Sequence, residues 1–130
     1  MQARINALPR IEVAYKNTPL ERCPRLERTL GTTAAIFVKR DDMTGVAFGG
    51  NKLRNLEFRL AEAIERQADT LILGVDVLSN SARQTAGAAS RLGLKLVLVL
   101  TGAPPAPPYQ GNLLIDQILG AEIHFVPDRT

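Results

Sequence analysis

Residues 70–100 read TLILGVDVLSNSARQTAGAASRLGLKLVLVL. The stretch opens on an apolar run, Thr70 to Val75, and passes through the polar Ser79-Asn80-Ser81. A small-residue segment then leads to Leu92 and Gly93, and a second apolar run follows from Lys95 to Leu100. Short apolar runs bounded by turn signals predict buried strands. Serine and asparagine cap helix starts and glycine stops helices, so 81–92 reads as a helix. Strand, helix, strand in this order is a βαβ unit, which predicts parallel strands joined by a crossover.

The pattern continues on both sides. Toward the C-terminus, a proline-rich loop from Thr101 to Gln110 leads to a helix over Gly111–Leu119 and a third strand over Glu122–Val126. Toward the N-terminus, Leu53, Leu56, Leu60 and Ile64 recur at spacings of three and four, which puts them on one helix face. Arg54, Arg59, Glu62, Glu65 and Arg66 fall mainly elsewhere, so a helix is predicted from Asn51 to about Gln67. A glycine-containing loop, Met43 to Gly50, precedes it, and Ala35 to Arg40 reads as a strand ending at an Asp41-Asp42 turn. Met1 to Thr33 is irregular, punctuated by Pro9, Pro19 and Pro24, with a short helix over 24–30 stopped by Gly31. The expected class is α/β: a parallel sheet whose faces are covered by helices.

Composition narrows the function classes. The chain has 130 residues, 45% apolar and 22% charged, which suits one globular core and argues against intrinsic disorder. A net charge of +3 without a basic run gives no reason to expect nucleic acid. Cys23 is the only cysteine, so neither an internal disulfide nor a cysteine metal cluster can form. The N-terminus has no apolar core of signal-peptide length. The most apolar stretch, Leu92 to Leu100, is interrupted by Gly93 and Lys95 and is far short of a membrane span. The default expectation is a cytoplasmic protein with no membrane partner.

Two clusters could carry chemistry. Gly49-Gly50-Asn51-Lys52 lies directly before a predicted helix. Glycines admit a ligand close to the backbone. Lys52 falls in the first helical turn, where the helix dipole disfavours a cation, a setting used by Schiff-base lysines that attack carbonyls. On its own the cluster is better read as a loop followed by a solvated lysine. Ser79-Asn80-Ser81-Ala82-Arg83-Gln84 stands at a strand-to-helix junction, where free N–H groups can donate to a carboxylate or phosphate. On spacing alone simple capping is the better reading, although ligands of open parallel sheets do bind beyond the carboxyl ends of strands. His124 sits within a strand pattern without metal-ligand companions, and Asp41-Asp42 followed by Thr44-Gly45 is read as a turn; no metal site is expected. Pro104 to Pro108 reads as a stiff surface loop, and no GxGxxG or P-loop fingerprint is present.

Taken together and in order, the motifs resemble one family. Val38-Lys39-Arg40-Asp41-Asp42, followed by Gly49-Gly50-Asn51-Lys52-Leu53-Arg54-Asn55-Leu56-Glu57, is similar to the lysine region of the 1-aminocyclopropane-1-carboxylate deaminase and D-cysteine desulfhydrase family. Ser79 to Ala86 looks like that family's substrate loop, and Thr18-Pro19-Leu20 and Leu92-Gly93-Leu94-Lys95 match its layout. The resemblance implies a tryptophan-synthase-β-like (fold type II) enzyme, of which this chain is an incomplete, N-terminal portion. Residues 1–48 would belong to the larger cofactor domain, and 49–130 to the smaller domain carrying the lysine and the substrate loop. Lys52 would hold pyridoxal 5'-phosphate as a Schiff base, with Asn80 on the ring hydroxyl and Asn51 supporting the site. Ser79, Ser81 and nearby N–H groups would take the carboxylate of a small amino acid, with Gln84 as a further contact. Ser79 and Lys52 are the expected catalytic residues. The implied reactions are elimination from D-cysteine to pyruvate, ammonia and sulfide, or ring opening of aminocyclopropane-carboxylate to 2-oxobutyrate and ammonia, in a possible homodimer.

The chain departs from the pattern at Ser81, where many members carry histidine, and at Leu78, where they carry glutamine. The exact substrate is therefore left open. The glycine-rich phosphate loop and the residue facing the pyridine nitrogen are expected C-terminal to this chain, since Pro127 to Thr130 cannot replace them. Two other readings stand beside the enzyme. One is a non-catalytic α/β remnant that binds a small anion or a partner subunit. The other is a nucleotide-binding half-domain, disfavoured by the absent glycine fingerprint.

Overall fold

The computed structural model describes residues 2–127, so most of the 127–130 segment lies outside it. The order of elements is α1 (Gln2–Asn6), β1 (Leu20–Arg22), α2 (Pro24–Leu30), β2 (Phe37–Lys39), α3 (Lys52–Glu65), β3 (Thr70–Asp76), α4 (Asn80–Leu92), β4 (Lys95–Thr101), α5 (Gly111–Ile118) and β5 (Glu122–Val126). The apolar runs become a three-stranded parallel sheet in the order β3-β4-β5, with helices flanking it. The class is the expected α/β.

The register explains which residues are buried. Leu73 pairs with Leu98 and Leu98 with Ile123, while Val75 pairs with Leu100 and Leu100 with Phe125. These rows face α4, and Leu96, Leu98 and Leu100 are buried there against Ala82, Ala86, Ala89 and Leu113. Each buried leucine contributes roughly 2 kcal/mol. The alternate rows, Ile72–Val97–Glu122 and Gly74–Val99–His124, face away, and Ile72 is 74% exposed. Only one face of the sheet is well covered, where the sequence reading expected both. Every residue of α4 from Ala82 to Ala89 is buried, because α4 touches the sheet, α3 and α5 at once. Small side chains let a helix lie that close to three neighbours.

A second core joins the N-terminal segment to α3. Val13, Leu53, Leu56, Leu60 and Ala88 pack together. Ile64, expected on this face, is 42% exposed: the helix outruns the segment it packs against. Glu57, wholly buried, accepts the Val13 and Ala14 N–H groups at 3.1 Å each and the Arg10 Nε at 2.6 Å. β1 was not foreseen. It pairs antiparallel with β2, Leu20 opposite Lys39 and Arg22 opposite Phe37, and is too short to show an alternating pattern. The strand read over 35–40 shortens to Phe37–Lys39 for the same reason: the ladder ends where β1 ends. Asp41–Met43, read as a turn, is a turn of 3-10 helix.

Candidate active site

The loop before α3 is held from within. Thr44, wholly buried, accepts the Gly50 N–H through Oγ1 at 2.8 Å and donates to the Asp41 carbonyl at 2.9 Å. Gly50 N–H also donates to the Asp41 carbonyl at 2.8 Å. Asp41 in turn receives Arg54 Nη2 at 2.7 Å, and that guanidinium holds its carboxyl below the usual aspartate range. Asp42 is taken up by Arg40 at 2.8 Å. The two aspartates are thus spent on arginines. Ala47 and Phe48 have φ of 46° and 63°, left-handed values that cost a side-chain-bearing residue on the order of 1 kcal/mol each. Gly50 has φ 141°, and a Cβ there would meet the Gln84 amide at 2.4 Å. Glycine is therefore required at position 50 both by its backbone and by its neighbour.

That neighbour joins the two clusters. Gln84 of α4, 2% exposed, accepts the Lys52 backbone N–H at 3.0 Å, and its Nε2 donates to the Asn80 carbonyl at 2.9 Å. Both ends of its amide are occupied by backbone, which makes Gln84 a brace between the loops. Arg83 forms a second brace. Its Nη2 reaches the Gly49 carbonyl at 3.4 Å and its Nε donates to Asn112 Oδ1 at 2.9 Å. Behind it, Asp116 of α5 is 1% exposed and neither carboxylate oxygen has a partner, nor does Arg83 Nη1. Burial pushes the Asp116 carboxyl up to about 6, with Arg83 pulling the other way.

Lys52 is the first residue of α3 and its side chain is exposed. It borders an open cleft of about 650 Å³ together with Asn51, Asn55, Ser81 and Thr85. Beside this polar mouth, Leu56, Leu60, Leu71, Ile72 and Leu73 line the cleft along the edge of β3 that no strand pairs among the described residues. A small ligand cannot satisfy a strand edge, so the mouth is the candidate site. The charged residues lining the cleft are Lys52 and Arg59, with no carboxylate among them, which suits an anion. Ser79 caps α4: its Oγ accepts Ser81 N–H at 3.1 Å and Ala82 N–H at 3.3 Å. The N–H groups expected to bind a carboxylate are the ones the cap uses, so an anion there must compete with Ser79.

The structure therefore brings Lys52, Asn51 and Ser81 to one cleft mouth and ties Asn80 and Gln84 to it by hydrogen bonds. Ser79 stands behind them as the cap. Asn55 and Thr85 were missed, though their offsets of three and four residues from Lys52 and Ser81 mark the same helix faces. Asn112 carries no such signal, since it meets Asn80 only through the fold. An amine open to a cleft, beside amides, hydroxyls and an apolar wall and with no carboxylate in the lining, suits an anionic ligand with some apolar surface.

Comparison with known proteins points the same way. The family model described as pyridoxal-phosphate dependent enzyme matches residues 11–130. A putative 1-aminocyclopropane-1-carboxylate deaminase of Pyrococcus abyssi is 43% identical over 122 residues, which is 94% of this chain and 36% of that protein. A D-cysteine desulfhydrase of Yersinia pestis is 44% identical over 114 residues, 88% of this chain and 33% of the other. The crystal structure of an ACC deaminase homologue superposes with a TM-score of 0.86 at 39% identity, covering 98% of this chain and 38% of that one. The chain spans little more than a third of the length of these relatives, and its α/β architecture fits part of a fold type II enzyme. On the match over 11–130, the chain belongs to the family of pyridoxal-phosphate dependent enzymes.

Proposed function

We propose that this chain is the lysine-bearing portion of a pyridoxal-phosphate-dependent lyase or deaminase acting on a small amino acid. The observation that carries the reading is Lys52 at the cleft mouth, its backbone braced by Gln84 to the Asn80 loop. Bound pyridoxal phosphate supplies a carbonyl that condenses with amines and a ring that accepts an electron pair from the substrate carbon. The chain's own groups do the rest. Lys52 Nζ would hold the cofactor through its carbonyl and would carry a proton to or from the substrate carbon. Asn80, with Asn51, binds the cofactor. The Ser79 and Ser81 hydroxyls donate to the substrate carboxylate at the start of α4, where the helix dipole favours it, while Ser79 Oγ keeps the Ser81 and Ala82 N–H groups. Gln84 keeps the two loops at a fixed separation.

D-cysteine and aminocyclopropane-carboxylate are the substrates favoured by the relatives' names. The reading includes a cytoplasmic, homodimeric enzyme. It also includes a division in which residues 1–48 belong to the larger cofactor domain and 49–130 to the smaller one. Exposed Leu20, Phe37 and Val38 on the β1–β2 ribbon support that division, since they lack a packing partner among the described residues. Among the same residues, no helix is long and apolar enough to cross a membrane.

The test joins this chain to the C-terminal remainder of the Pyrococcus abyssi relative and measures 2-oxo acid release from both amino acids. Cofactor-dependent release that disappears in Lys52→Ala is expected. A folded, cofactor-loaded chimera inert toward both would reject the lyase reading and favour a non-catalytic remnant.

A further inference from the structure

Asn112 is the first residue after Gly111 in α5, well away in sequence from both site loops. Its amide lies between two groups whose chemistry allows no choice. Arg83 Nε can only donate, and it stands 2.9 Å from one end of the amide; the Leu78 carbonyl can only accept, and it stands 3.0 Å from the other. The end facing Arg83 must be Oδ1 and the end facing Leu78 must be Nδ2. The second hydrogen of Nδ2 then meets Asn80 at 2.9 Å, so Asn80 must answer with Oδ1. The orientation of an isolated amide is ambiguous by shape alone. Here a guanidinium and a carbonyl decide it for two asparagines in series, and the free end of Asn80 is the donor Nδ2.

We infer that Asn112, oriented by Arg83, is a positioning residue that fixes Asn80 with its amide N–H as the group offered to the cofactor's ring oxygen. The inference rests on the reading that Lys52 and Asn80 bind pyridoxal phosphate. It adds a residue and a direction: the site presents a donor to an ionised oxygen, and Asn112 keeps Asn80 from turning its carbonyl there instead. The same relay ties the lysine loop to the substrate loop, because Arg83 also reaches the Gly49 carbonyl.

The chimera that joins this chain to the C-terminal remainder of the Pyrococcus abyssi relative is titrated with pyridoxal phosphate, and the visible band of the lysine-bound cofactor is followed against concentration and pH. Asn112→Asp still accepts from Arg83 but cannot donate to Asn80; Asn112→Leu has similar size and neither capacity, and serves if the aspartate variant does not fold. Both are expected to weaken uptake about tenfold, the scale of one lost hydrogen bond to a charged group. They should also raise the pH at which the ring oxygen ionises, since a donated N–H favours the ionised form. Asn80→Ala should do the same, and adding Asn112→Leu to it should change nothing more. Variants that bind and titrate like the wild type would overturn the inference, as would an undiminished Asn112 effect in the Asn80→Ala background. A folded wild-type chimera that takes up no cofactor would overturn the cofactor reading and the inference with it, whereas uptake with unaffected variants overturns the inference alone.

Discussion

The glycines before the start of α3 and the cap at Ser79 were legible in the sequence as local patterns, whereas the role proposed for Lys52 comes from the family resemblance and not from the pattern alone. What the sequence could not give was the use of the groups around them. Gln84 reads as a ligand contact from its place in the motif, yet its amide is consumed by the Lys52 N–H and the Asn80 carbonyl. Asn112 and Asp116 carry no local signal, since their surroundings exist only after α5 packs on α4. Asp116 provides a test at this scale. Its folded carboxyl is raised to about 6 against an ordinary 3.8, so between those values the folded chain holds a proton that the unfolded chain has lost. Its contribution to stability therefore falls as pH rises through that window, and above it an ionised, unpartnered carboxylate stays buried. Asp116→Asn should raise stability at pH 8 by roughly 2 to 3 kcal/mol and give no such gain at pH 4. Urea melting at the two pH values checks this, and a gain independent of pH would show that the carboxylate is solvated in the folded chain.

Helices and parallel strands were the most readable elements, because each has a period long enough to count. The three strands of the parallel sheet lie within a residue of their expected bounds. The ribbon of β1 and β2 was half missed: Leu20-Glu21-Arg22 is too short and too charged to show alternation, and only its pairing with Phe37–Lys39 makes it a strand. The attachment of residues 10–14 to α3 was likewise invisible. A glutamate on a helix reads as a solvated face, whereas Glu57 is wholly buried and satisfies two backbone N–H groups and Arg10. Removing it leaves those donors and a cation without their acceptor. Glu57→Ala should cost about 3 kcal/mol in urea unfolding and free the segment around Val13 to amide exchange. Near-unchanged stability would mean that water replaces the carboxylate without loss.

At the scale of the molecule, one face of the parallel sheet is uncovered and neither edge strand, β3 or β5, has a second pairing partner among the described residues, and Ile72 is 74% exposed on β3. Unpaired strand edges with apolar side chains recruit other chains. The 130-residue chain should therefore self-associate at concentrations on the order of tens of micromolar, and Ile72→Lys should reduce that association in sedimentation velocity. A wild-type chain that stays monomeric there, with cooperative melting, would instead favour a self-sufficient domain. The relatives, nearly three times as long, have chain to spare for covering such surfaces, which is why the catalytic reading is attached to the longer protein and the lysine site to this one.

The central claim is that the folded chain already presents Lys52 as the cofactor's lysine. The direct measurement is to mix it with pyridoxal phosphate at low stoichiometry, reduce with borohydride and map the modified lysine by mass spectrometry. The account predicts selective labelling at Lys52, lost in Lys52→Ala without transfer to Lys16, Lys39 or Lys95. Labelling scattered over the four lysines, or none at all, would contradict it.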